Sequence, residues 1–143
     1  MFTPTYRVCD DVGVHDVHSN LPGYRVCDDV GADAASALVG GLGLAPGLSA
    51  GPERAMAQAT HGSAPDIAGK GIANPYAMIM SGQMLLVWLG HKHGVPAALA
   101  AADLIERATE NVIKSGRVLT VDLGGKANTR EMGDAIAAEI SRL

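Results

Sequence analysis

The run His61-Gly62-Ser63-Ala64-Pro65-Asp66-Ile67-Ala68-Gly69-Lys70-Gly71-Ile72-Ala73-Asn74-Pro75 constrains this chain more than any other stretch. It is built from small residues and punctuated by glycine and proline, so it reads as a loop. Small side chains let backbone approach a ligand closely. Asn74 suits a helix cap and Pro75 a first helical turn. A long apolar segment follows at once, and Pro75 to Leu89 is expected to be helix. It is apolar on nearly every side, so both flanks should be covered. Gly90 reads as its stop, with His91, Lys92 and His93 near its negative dipole end.

Downstream, Pro96 to Lys114 has the clearest amphipathic pattern. Ala98, Ala101, Ile105, Ala108 and Val112 share one stripe, and Gly116 is the stop. Arg117 to Leu123 alternates enough for a strand. Asn128 with Glu131 three residues on resembles a capping box. A last helix should reach about Arg142, with Met132, Ile136 and Ile140 at helical spacing. Upstream, residues 33–39 give a short Ala-rich helix, broken by Gly40, Gly41 and Gly43. Residues 44–53 read as loop, and Ala55 to Thr60 as a short strand. The expected class is α/β, rich in helix.

The first thirty residues are unusual. Tyr6-Arg7-Val8-Cys9-Asp10-Asp11-Val12-Gly13 recurs unchanged as Tyr24-Arg25-Val26-Cys27-Asp28-Asp29-Val30-Gly31. Two copies are too few for a solenoid. A short tandem duplication accounts for them, and so do two strands that pair with each other or across a dimer. The chain divides into an atypical segment, 1–32, and a second segment, 33–143.

Hydrophobic residues make up 48% of the 143 and charged residues 18%, a globular composition. Aromatic residues are only 3%, so the core must rest on aliphatic side chains and Met. The net charge of -4, with no Lys/Arg cluster, argues against a nucleic-acid partner. Cys9 and Cys27 sit in the repeat copies and give neither a metal-ligand spacing nor a disulfide framework. A reducing, cytoplasmic setting is the default. No secretory signal is visible. The apolar run from Ala77 to Leu89 is shorter than the roughly 20 residues a membrane span needs.

The loop from His61 to Pro75 resembles the adenosine-binding loop of the isopropylmalate/isocitrate/tartrate dehydrogenases, the metal-dependent β-hydroxyacid oxidative decarboxylases. The resemblance runs from about Asp29 to the C-terminus. It implies the C-terminal part of that fold, in truncated form, and residues 33–143 as an NAD-binding segment. His61, Gly62, Ser63, Ala64, Pro65, Asp66, Ile67 and Asn74 match positions lining the adenosine pocket. An Asp at position 66 implies NAD, because it accepts hydrogen bonds from the ribose hydroxyls and repels the extra phosphate of NADP. NADP-dependent relatives place Lys and Tyr where Asp66 and Ile67 stand. His61 alone also suits a satisfied core histidine. Gln58 replaces a Glu common just upstream of the loop. Leu123-Gly124-Gly125-Lys126-Ala127 and Glu131 to Ile136 match the family's C-terminal segment, with a structural role.

Counting back from the Gly-rich turn Gly40-Gly41-Leu42-Gly43 puts Asp29 and Asp33 on the family's two metal-binding aspartates. An i, i+4 carboxylate pair projects from one helix face, and hard oxygen ligands suit Mg²⁺ or Mn²⁺. Asn20-Leu21-Pro22-Gly23 sets a competing register, in which Tyr24 takes the first Asp position. A solvated turn and a helix cap are the alternative roles for Asp29 and Asp33.

Enzymes of this family are roughly twice this length or more. The resemblance implies that their upstream half supplies the arginines that clamp the substrate and a Tyr and Lys acting as acid and base. No catalytic residue can be named in this chain. The leading expectation is therefore an NAD-binding segment, inactive alone. A homo-oligomer or a separate chain supplying the missing half would be its partner. The rivals are a nucleotide-binding or regulatory module without redox chemistry, and an oligomerising structural remnant.

Overall fold

The computed structural model of the protein describes residues 41–143. The repeat copies, Asp29, Asp33 and the helix expected over 33–39 lie outside the described residues. The described part has three helices and one small hairpin. These are β1 (Leu48–Ala50), β2 (Ala55–Ala57), α1 (Tyr76–His93), α2 (Pro96–Ser115) and α3 (Thr129–Ile140), with short 3-10 turns at Leu42–Leu44, Pro65–Ile67 and Val121–Leu123. The helix-rich α/β expectation holds.

Strands β1 and β2 pair antiparallel, Leu48 with Ala57, Ser49 with Met56 and Ala50 with Ala55. The loop expected over residues 44–53 therefore contains a strand. Only three residues separate Gly47 from Gly51, too few for any period to register. What makes them a strand is their partner, which is a tertiary fact. The pairing continues past the strands, since the Gln58 N–H donates to the Gly47 carbonyl at 3.0 Å and that of Thr60 to Ala45 at 3.1 Å. A Cβ on Gly47 would lie 2.5 Å from the Gln58 carbonyl oxygen, so the close approach requires glycine.

Helix α1 does not stop at Gly90. It continues to His93 and ends at Gly94, which takes the left-handed conformation at φ 62°. Gly90 serves packing instead. It is buried, and a Cβ there would lie 2.5 Å from Cδ2 of Leu99 on α2. We expect Gly90→Ala to lower stability by about 1 kcal/mol. The overpacking penalty, typically about 1–3 kcal/mol, outweighs the roughly 1 kcal/mol that Ala gains in helix propensity. Urea denaturation checks this, and equal or higher stability contradicts it.

The buried residues of α1 are Ala77, Ser81, Gln83 and Gly90. The large apolar residues Met80, Met84, Leu85, Val87 and Trp88 are only half-buried, and Met78 is 53% exposed. Among the described residues, the expectation that both flanks would be covered is met on one side only. The covered side faces α2 and the hairpin, where small residues permit close approach. Ser81 is fully buried but satisfied: its hydroxyl donates to the Ala77 carbonyl at 2.7 Å and accepts from the Gly47 N–H at 3.0 Å.

Helix α2 ends at Gly116, as its left-handed φ of 67° requires. Its buried stripe is Ala102, Ala108, Thr109 and Val112, while Ala98, Ala101 and Ile105 lie at the half-buried margin. Helix α3 carries the expected capping box. Asn128 Oδ1 accepts from the Glu131 N–H at 2.9 Å, and Glu131 Oε2 from the Asn128 N–H at 2.8 Å. The core joins Ala108 and Val112 to Met132 and Ile136, with Ile79, Leu123 and Ile140 packed around it.

The strand expected over Arg117 to Leu123 is absent. There is a single bridge between Thr120 and Ala127 and a 3-10 turn at Val121–Leu123. The backbone doubles back on itself there. The Gly125 N–H donates to Thr120 and that of Ala127 to Leu119, at 3.0 and 2.9 Å. Local bonds thus use the groups a strand would offer to a neighbour. No helix among the described residues is long and apolar enough to cross a membrane.

Candidate nucleotide-binding loop

The loop between β2 and α1 hangs from two fixed ends. At its start, Ala59 is buried and the Thr60 hydroxyl donates to the Ala45 carbonyl at 2.9 Å. At its end, Asn74 is buried and its side chain works in two directions. Oδ1 accepts from the Tyr76 N–H, the first of α1, at 2.9 Å, while Pro75 rather than Asn74 holds the cap position of that helix. Nδ2 donates to Asp122 Oδ2, also at 2.9 Å.

Between these ends the loop is open to solvent. His61, Gly62, Ser63, Ala64, Pro65 and Asp66 are exposed and Ile67 is half-buried. His61 is therefore not a core histidine; its Nδ1 lies 3.1 Å from the Gly62 carbonyl oxygen. Ala64 has φ 44° and ψ 63°, the only left-handed residue other than glycine among those described. Such a conformation costs a residue with a Cβ roughly 1–2 kcal/mol and concentrates at functional sites. It turns the chain into the short helix Pro65–Ile67, closed by Ile67 N–H to Ala64 carbonyl at 3.0 Å. Asp66 is thereby presented at the surface. Its carboxylate makes no hydrogen bond or ion pair with any described residue, so its oxygens remain available to hydroxyl donors. A ribose diol offers such donors.

The loop thus brings His61 through Ile67 together in one exposed turn, with Asn74 at its root. The amide of Asn74 is largely committed to holding that root. Asp29 and Asp33, the two residues assigned to a metal, lie outside the described residues. Among the described residues, no group of three or more His, Cys, Asp or Glu side chains is placed to hold a metal ion.

A second polar cluster lies between α1 and α2. Gln83 Nε2 donates to Glu106 Oε2 at 3.1 Å. Partial burial pushes the Glu106 carboxyl up from its usual 4.5, and the nearby charges of Glu110 and Asp103 add to the shift. Burial, then Glu106 and Glu110, likewise raises the Tyr76 phenol, which stays protonated at neutral pH. The folded state holds the Glu106 proton more tightly than the unfolded state does. Its stabilising contribution is complete below the unfolded value and is lost as pH rises through the folded one. We expect Glu106→Gln to raise Tm at pH 7 and to change it less at pH 4. A lowered Tm at pH 7 contradicts this.

The sequence profile described as isocitrate/isopropylmalate dehydrogenase matches residues 16–136. The chain belongs to the isocitrate/isopropylmalate dehydrogenase family. Among its relatives, the homoisocitrate dehydrogenase of Methanocaldococcus jannaschii is 48% identical over 105 residues, which is 73% of this chain and 28% of that enzyme. A regulatory component of the mitochondrial NAD isocitrate dehydrogenase of Dictyostelium discoideum is 42% identical, across 77% of this chain and 29% of its own length. The crystal structure of isocitrate dehydrogenase from Methylococcus capsulatus aligns with a TM-score of 0.69 and 46% identity, covering 78% of this chain and 32% of that one. The chain spans under a third of the length of these relatives.

Two residues that hold the loop of this dehydrogenase-family chain carry no signal in the sequence. Asp122 meets Asn74 across 48 positions, and Thr129 reaches the loop across 56. Periodicity within a window of a dozen residues holds no trace of pairings at such separations.

Proposed function

We propose that residues 61–74 form the adenosine side of an NAD site in a β-hydroxyacid oxidative decarboxylase of the isopropylmalate/isocitrate type. The observation that carries this is the exposed Asp66 carboxylate, free of described partners, on a turn that left-handed Ala64 aims outward. Ser63 and the open backbone at Gly62, where a Cβ would meet nothing within 4 Å, leave room for a ligand. NAD, when bound, supplies the hydride acceptor. This chain's loop residues orient the adenosine end through Asp66 and His61, with Asn74 holding the root of the loop, and discriminate against a charged 2′ substituent. Asp29 and Asp33 are proposed to offer oxygen ligands to Mg²⁺ or Mn²⁺. A cytoplasmic setting goes with this reading.

Backbone amide exchange with and without NAD tests the loop assignment. Protection at residues 61–74 supports it, and protection elsewhere only, or none, overturns it. A polypeptide of these 143 residues, given NAD and Mg²⁺ or Mn²⁺, is expected to show no oxidative decarboxylation of isopropylmalate, isocitrate or tartrate. Positioned proton transfer and electrostatic clamping each typically contribute factors of about a hundred or more. The family resemblance assigns the acid-base pair and the arginine clamp to an upstream half outside these residues. Adding a separately expressed upstream half of a relative is expected to restore turnover. Turnover by the polypeptide alone, abolished by Asp29→Asn, contradicts the account.

The half-exposed Met80, Met84, Leu85, Val87 and Trp88 of α1 further support association, with a second copy or with a chain supplying a complementary half. Sedimentation at high micromolar concentration checks this, and a compact monomer counts against it. One observation favours a second reading, a nucleotide-binding regulatory module without redox chemistry: the 42% identical Dictyostelium relative is named as regulatory. NAD binding without turnover, even beside a complementary half, would select it.

A further inference from the structure

The nucleotide reading concerns the exposed part of the loop. What keeps its C-terminal arm in shape lies elsewhere in the chain. Gly71, at φ 65°, turns the arm, and residues 71–73 are exposed. An arm of this kind has no apolar anchor of its own. It is held instead by Thr129, the first residue of α3. The Thr129 N–H donates to the Gly71 carbonyl at 2.7 Å, and its hydroxyl donates to the Ala73 carbonyl at 2.5 Å.

The chemistry of the helix start explains why this position suits the task. The first N–H groups of a helix have no acceptor within it. The capping box satisfies the N–H groups of Asn128 and Glu131, and the Thr129 N–H is left pointing out of the helix, where Gly71 meets it. The hydroxyl then takes the carbonyl two residues on. One residue therefore clamps two carbonyls of the arm that ends in Asn74. Asn74 itself is tied to Asp122, in the turn that precedes α3. The start of α3 and the root of the loop are one hydrogen-bonded unit.

We propose that Thr129 is a positioning residue for dinucleotide binding, holding the 71–74 arm in its ligand-ready form through these two bonds. The proposal rests on the nucleotide reading of the loop. A ligand that needs the arm ordered gains affinity from a residue that orders it beforehand. By linkage, ligand at the loop also protects the first turn of α3.

Two variants and one control test this in the full chain. Thr129→Val keeps the shape and the N–H and removes only the hydroxyl bond. Thr129→Ser restores the hydroxyl. Ile136→Val, in the α3 core, weakens the same helix without touching the arm. Two quantities are measured for each: amide exchange at residues 66–73 in the free protein, and the NAD Kd by calorimetry. Thr129→Val is expected to speed exchange in the arm and to weaken NAD binding by about three- to tenfold, the range for one lost hydrogen bond. Thr129→Ser should return both to near the wild-type values, and Ile136→Val should change neither. Unchanged exchange in Thr129→Val, or an equal loss of affinity in Ile136→Val, overturns the positioning role. If wild-type protein gives no NAD heat at all, the nucleotide reading and the binding half of the proposal fail together. The exchange data then still decide whether the clamp exists.

Discussion

Gly125→Ala is expected to destabilise the fold by about 3 kcal/mol or more, in the range where a backbone clash or overpacking dominates. A Cβ at this position would lie 1.9 Å from the Leu119 carbonyl oxygen and 2.4 Å from its carbon. Both obstacles are backbone, so no rotamer change relieves them. The two arms of this turn must separate, and the bonds from Gly125 to Thr120 and from Ala127 to Leu119 go with them. Asp122 sits inside the same turn, so its bond to Asn74 is strained too. Gly124→Ala is the informative comparison. Gly124 has φ 79°, but a Cβ there meets nothing within 4 Å. Its penalty is backbone strain alone, about 1–2 kcal/mol. Urea denaturation should therefore rank wild type above Gly124→Ala and that above Gly125→Ala. Gly125→Ala within about 1 kcal/mol of wild type, the centre of the range for ordinary substitutions, contradicts the close approach described.

The second large effect is on cofactor choice. Asp66→Lys combined with Ile67→Tyr is expected to erase or reverse a preference for NAD that is at least about tenfold, or roughly 1.4 kcal/mol, in the wild type. The carboxylate accepts hydrogen bonds from ribose hydroxyls and repels a 2′-phosphate. A lysine at the same exposed position removes the acceptor and attracts the phosphate instead. Asp66 makes no hydrogen bond or ion pair with a described residue, and Ile67 is half-buried, so urea denaturation of the double variant accompanies the titration to separate binding from stability. Calorimetric Kd values for NAD and NADP on both proteins check this. A double variant that keeps the wild-type ratio contradicts the role given to Asp66.

What the sequence discloses and what it hides follow a physical division. The amphipathic α2, the left-handed stop at Gly116 and the Asn128/Glu131 box depend on residues within a few positions of each other, and all three are present. The loop from His61 to Asn74 is also local, and its ordered string marks it. Gly90 misleads because a helix glycine reads alike whether it ends the helix or makes room for Leu99. Residues 117–123 mislead because alternation alone does not supply a strand with a neighbour. The short β1 is invisible because its only warrant is β2. The clamps on the loop, Asp122 and Thr129, are likewise long-range. The composition of the α1 flanks is legible, but which flank α2 and the hairpin cover depends on packing.

In the proposed function, the exposed turn carrying Asp66 binds the adenosine end of NAD. Calorimetric titration of the full chain with NAD and NADP, on wild type and on Asp66→Asn, decides whether it does. Wild type is expected to bind NAD saturably and at least about tenfold more tightly than NADP, with the gap narrowed in Asp66→Asn. No NAD binding, or NADP bound as tightly as NAD by the wild type, contradicts it.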